Sequence, residues 1–174
     1  MFQFVYVWTS KDLSMYIPFE EMSPHSRVWI YQADRLLSNK EVSFIEDCSK
    51  QFLSEWAAHG NALKSSFSVL HNKFLVISVD ENFNAASGCS IDASVGLVRK
   101  IASELKLDFF DRTKVAFLLN GEIFQSSLND LKSLIAKGMI SSETTTFNNL
   151  VDNLEQFRNK WEVPASETWL KRYF

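Results

Sequence analysis

Apolar positions recur along this chain at two different periods, and their order predicts a mixed fold of helices and strands. Val28-Trp29-Ile30-Tyr31 is a β-branched and aromatic run bounded by Pro24 and Asp34, the signature of a strand. Ser38-Asn39-Lys40-Glu41 has the S-x-x-E form of a capping box, in which the serine oxygen and the glutamate satisfy orphan amide donors at a helix start. Val42, Ile45, Cys48, Phe52 and Trp56 follow at spacings of three and four, so a helix is expected whose apolar stripe, Cys48 included, faces the core. Gly60 suits the left-handed residue past its end. Residues 66–70 and 74–79 then read as two strands joined by His71-Asn72-Lys73, a hairpin-length connection. The second is continuously apolar rather than alternating, as is Val115-Ala116-Phe117-Leu118-Leu119, which predicts strands covered on both faces. Between them, Val95, Val98, Ile101, Ala102 and Leu105 place a helix over about residues 91–105, started by Ser90 or Asp92. Gly96 weakens its middle by roughly 1 kcal/mol relative to alanine. Asn120-Gly121 is a strong hairpin signal and returns the chain through Glu122-Ile123-Phe124 as an added edge strand.

Over residues 27–119 the order is β-α-β-β-α-β, so the expected class is α+β with a ferredoxin-like split β-α-β core, an added edge strand and C-terminal helices. Such a sheet has one face free of helices, and an aliphatic surface of that size must be covered. Candidates are a helix capped by Ser127, carrying Leu128, Leu131, Leu134 and Ile135 and ended by Gly138, and another over residues 148–158. Self-association is the third candidate. A soluble interaction or self-associating domain is therefore the first functional expectation, with a homo-oligomer or a protein as partner.

Length and charge narrow the classes. A chain of 174 residues with 46% hydrophobic content fits one domain, expected at 15–174, large enough to need neither disulfide staples nor a structural metal. Residues 15–22, MYIPFEEM, resemble a chain start, so 1–14 is expected to be an N-terminal extension. A net charge of −3 argues against nucleic acid as a partner. The run from Phe2 to Trp8 lacks the basic flank and cleavage site of a signal peptide, and no stretch of about 18 apolar residues occurs, so neither export nor a membrane span is expected. Two cysteines 41 positions apart, outside any metal-binding spacing, fit reduced thiols in a cytoplasmic protein. No cofactor and no metal is implied.

The segments SRVWIYQADR, WAAHG, VDENFNAASGCSID, FFDRTKVAF, TFNNLV and ETWLKRYF together resemble a family of small proteins of Bacteroidetes bacteria, over about residues 15–174. Members of that family are often labelled "ABC transporter ATPase", and the resemblance implies no mechanism. Nor does the chemistry fit the label. A phosphate-cradling loop needs G-x-x-x-x-G-K-[ST], and none of Gly60, Gly88, Gly96, Gly121 and Gly138 is followed by lysine or spaced five from another. ATPase activity is not expected.

The alternative reading is a small-anion-binding or thiol-dependent enzyme. Ser87, Gly88, Cys89, Ser90 and Asp92 lie where a strand-to-helix loop meets a helix N-terminus, whose amides can receive an anion and favour a thiolate. Cys89 is the candidate nucleophile and His59 its candidate base, although no histidine neighbours it in sequence, and His59 also suits a plain helix C-terminus. Asn148 and Asn149 are candidate ligand contacts, since an amide both donates and accepts. The pairs Asp80-Glu81 and Asp111-Arg112 read as solvated or ion-paired strand ends, and the aromatic tail at Trp169 and Tyr173 as packing back on the domain.

Overall fold

The structure is a computed structural model and describes residues 15–174. The expected N-terminal extension and its apolar run lie outside the described residues. The elements in chain order are β1 (Arg27–Gln32), α1 (Asn39–Glu55), β2 (Ala57–Ala58), β3 (Asn61–Ala62), β4 (Ser65–Leu70), β5 (Phe74–Val79), α2 (Gly88–Leu105), β6 (Lys114–Leu119), β7 (Glu122–Ser127), α3 (Leu131–Ala136), β8 (Thr145–Phe147), α4 (Leu154–Lys160) and β9 (Glu162–Pro164). The fold is α+β, and every pairing between these strands is antiparallel.

The strands form three sheets: β1-β5-β4, the small hairpin β2-β3, and β7-β6-β8-β9. The first has the strand order of a split β-α-β motif as far as it goes. A ferredoxin-like core would then place β6 along the free edge of β1, and that closure is not formed. Both edges of β6 are taken within the C-terminal third, by β7 through the Asn120-Gly121 turn and by β8, where the Thr146 hydroxyl donates to the Ala116 carbonyl at 2.8 Å. The edge of β1 bonds instead to the loop before α4, Val28 N–H donating to Asp152 O and Leu154 N–H to Ser26 O.

Local boundaries differ from expectation for similar reasons. The capping box at Ser38 and Glu41 starts α1 as read, but the helix stops at Glu55 because Trp56 turns extended, and Gly60 with His59 forms the left-handed turn of β2-β3. Ser87, not Ser90 or Asp92, caps α2, with Ser90 closing a second capping box. Ser127 caps a short 3-10 turn before α3, and Gly138 takes the left-handed position after it. Residues 145–147 are strand, so the last long helix begins at Leu154 under an Asn153 cap rather than near Asn148.

Every residue of β5 is fully buried. Leu75, Ile77 and Val79 face α1 and α2 with Ile45, Leu53, Val98 and Ile101. Phe74 and Val76 face the other way, against Ala116, Phe147, Leu154, Phe157 and Trp161. The second sheet and α4 thus cover the face that the sequence left open, at roughly 1.5–3 kcal/mol for each large apolar side chain removed from water. Self-association through that face is not needed. A third cluster joins Val115 and Phe117 to Leu131, Ile140, Ala165 and Leu170, with Trp169 and Tyr173 packed back upon it.

Candidate functional site

The residues singled out in sequence fall into two groups on opposite sides of the first sheet. Ser87 to Asp92 open α2 on the helical side. Gly88, Cys89 and Asp92 are exposed, while Ser90 is buried in its cap, donating to the Ser87 carbonyl at 2.8 Å and accepting from the Ser87 amide at 2.8 Å. The capping box consumes the Ser87 and Ser90 side chains, and Asp92, outside the box, is itself a carboxylate and offers an anion no donor. His59 is exposed at the β2-β3 turn, and among the described residues no hydrogen bond or ion pair joins it to Cys89.

Asn148 and Asn149 lie on the other side, beside the cluster around Phe147 and Trp161. Asn149 is fully engaged: its Oδ1 accepts from Trp161 Nε1 at 3.0 Å and its Nδ2 donates to Gln32 Oε1 at 3.2 Å, while Gln32 Nε2 donates to the Lys114 carbonyl at 3.4 Å. This relay ties β1 to β6 and to the residue before β9. Asn148 Oδ1 accepts from the Leu150 amide at 3.4 Å. The Asn149 side chain therefore fastens separate segments of the chain, while that of Asn148 closes a local turn and only its backbone N–H reaches across, donating to the Trp161 carbonyl at 2.7 Å. The acidic pairs are occupied too, Asp80 by Lys64 at 3.2 Å and Glu81 by Arg27 at 3.6 Å.

The concave surface that the sequence did not single out runs between α1 and α2. Cys48, Gln51, Phe52 and Glu55 recur at helical spacing on one face of α1, and Ala93, Gly96, Leu97 and Lys100 do so on the facing side of α2, enclosing a groove of about 530 Å³. Its lining is mostly apolar. Trp56 sits at the end of α1, its ring centroid 5.5 Å from that of Phe52 and 6.4 Å from that of Trp29, and its Nε1 donates to the Ser90 carbonyl at 2.9 Å. That bond ties the end of α1 to the first turn of α2 and so fixes the width of one end of the groove. Cys48 packs against the first core cluster, as its place in the apolar stripe predicts, while staying partly exposed to the groove, and burial pushes its thiol up, with Lys100 pulling the other way. A thiol held in its neutral form is a poor nucleophile.

A second, more polar recess of about 410 Å³ lies between β7 and α3. Among the described residues no group of three or more His, Cys, Asp or Glu side chains is placed to hold a metal ion, and no helix is long and apolar enough to cross a membrane. Set against protein-family models, curated protein sequences and solved structures, the chain matches none.

Proposed function

We propose that the chain is a protein-interaction domain whose partner lays an amphipathic helix into the groove between α1 and α2. Two helices side by side leave a trough that a third helix fills by the same ridge-and-groove packing that joins the first two. Its apolar lining supplies affinity, since each large aliphatic or aromatic side chain seated against Phe52 and Leu97 gains roughly 1.5–3 kcal/mol. Glu55 and Lys100, exposed at the two walls, set direction by favouring a basic residue opposite one and an acidic residue opposite the other.

The observation that carries this reading is Gly96. A glycine inside a helix costs about 1 kcal/mol against alanine, and an added Cβ at Gly96 would meet no heavy atom within 4 Å. The chain's own packing thus gives no reason for a missing side chain at this point of the groove, whereas a helix approaching closely does.

The test is selection from a library of amphipathic helical peptides on the purified protein, followed by titration of the selected peptides against Gly96→Trp. The indole fills the groove, so binders should weaken at least tenfold while thermal stability is retained. Absence of binders, or binders indifferent to Gly96→Trp, would count against the groove as a docking site.

A further inference from the structure

The second sheet ends in a strand whose outer backbone can be assigned residue by residue. Asn120 and Gly121 both have positive φ, +53° and +82°, the conformation of a two-residue type I′ hairpin turn, so Leu119 and Glu122 form the hydrogen-bonded pair that closes it. Pairs then alternate along an antiparallel ladder. Glu122, Phe124 and Ser126 bond inward to β6, and the Leu128 amide donating to the Thr113 carbonyl at 2.9 Å, two steps beyond Ser126, keeps the same phase. Ile123 and Gln125 therefore turn both N–H and C=O outward, and among the described residues no strand pairs with that edge.

The polar recess lies along this edge. It is lined by Phe124 and Ser126, whose side chains point to one face of the sheet, and by Gln125 and Ser127, whose side chains point to the other, so it is centred on the strand's rim. On its far side α3 supplies Ser133 and Leu134. Lys114 and Lys137 also line it against one carboxylate, Asp130, and neither lysine is in a salt bridge among the described residues; Asp111, held in its ionised form first by hydrogen bonds from Thr113 and only then by Lys114, is outside the lining.

We infer that β7 is an acceptor edge for an extended acidic peptide, which adds antiparallel or parallel to it as a further strand and sets carboxylates against Lys114 and Lys137. Backbone groups at Ile123 and Gln125 hold the peptide whatever its sequence, and the two lysines select its charge. This surface is separate from the helical groove, so the two tests fail or succeed independently.

The probe is a capped hexapeptide alternating glutamate and valine, compared with its lysine-valine counterpart, and the readout is amide hydrogen exchange of the native protein by NMR. The acidic peptide should slow exchange of the Ile123 and Gln125 amides at least tenfold. The Glu122 and Phe124 amides, already bonded to β6, should not change. Ile123→Pro removes an outward donor without touching the inward ladder and should abolish this protection. Lys137→Glu, at the exposed C-terminal cap of α3, should weaken binding of the acidic peptide about tenfold even if the proline variant proves unstable. Gly96→Trp should leave it unaltered. Equal binding of the lysine peptide, protection elsewhere, or slow exchange at both amides without peptide in a species of doubled mass would each overturn the assignment, the last by showing a second copy of the chain on the edge.

Discussion

Lys73 is the residue whose environment departs furthest from its chemistry. It follows the His71-Asn72 turn, is 1% exposed, and its ammonium has one hydrogen bond, to the Ala33 carbonyl at 2.9 Å. Burial lowers its pKa from 10.5 to about 8, and the nearby charge of Asp34 opposes this only in part. The folded state therefore disfavours the protonated form. Below pH 8 both folded and unfolded chains carry the proton and the full penalty applies; between about 8 and 10.5 the unfolded chain holds more protons, so this group makes stability rise with pH. The penalty is of order 3 kcal/mol. Lys73→Met should remove that slope, measured as the difference in urea unfolding free energy between variant and parent from pH 7 to 9.5, and should not lower stability at pH 7. A variant with the parent's slope would contradict it. Glu41 has the opposite sign, its carboxyl held down at about 2 by Arg35 and then by the Ser38 backbone and side chain. What it contributes is lost as pH falls from about 4.5 toward 2. The partnership with Ser38 was legible in the sequence as a capping box, because it is local. The burial of Lys73 was not, because it depends on the segment after β1 closing on the hairpin turn, where the Ala33 amide donates to the Lys73 carbonyl at 2.8 Å and the Leu37 amide to the Asn72 carbonyl at 2.7 Å.

At the scale of elements, α2 holds both a stability cost and the candidate site. Gly96→Ala places a methyl group in open space on the groove wall, so the folded structure needs no rearrangement to accept it. It should stabilise the protein by about 1 kcal/mol through helix propensity, a rise of roughly 2–4 °C in Tm for a domain of this size. An unchanged or lower Tm in a thermal melt would mean that Gly96 serves the isolated fold after all. The identities of β1, α1, β4, β5, α2, β6 and β7 followed from periodicity and composition, and the turns at Asn120-Gly121 and Gly138 from the rarity of residues that tolerate positive φ, whereas β2, β3, β8 and β9, two or three residues each, are too short to carry a period. Gly60 shows the limit of that logic. A left-handed residue is called for equally by a helix end and by a tight hairpin, and the extended backbone at Trp56, fixed by its bond to Ser90, decided for the hairpin.

At the scale of the molecule, the two larger sheets share the cluster around Phe74 and Phe147 and are tied across it by polar links. His71 Nε2 and Glu162 Oε1 meet at 2.7 Å, Asn149 joins Gln32 to Trp161, and Gln125 Nε2 donates to the Asp34 carbonyl at 2.7 Å. Sequence order alone favours β6 beside β1, since split β-α-β units close that way; the Asn120-Gly121 turn announces β7 on one edge of β6, but nothing local announces that β8 claims the other. The same non-local choice turned the surface expected to drive self-association into an interior, and left the trough between α1 and α2 as an apolar concavity among the described residues. The helical repeats that line it, 48-51-52-55 and 93-96-97-100, are visible in the sequence, but their facing one another is not.

The central claim is that this trough is open in the folded protein. It is tested most directly by the alkylation rate of Cys48 under native conditions at pH 8.5, in a Cys89→Ser background. An open groove predicts modification without unfolding, at a rate independent of added stabilising osmolyte and at least tenfold slower in Gly96→Trp. A thiol that reacts only as fast as the chain globally unfolds, or at the same rate with the indole in place, would contradict it.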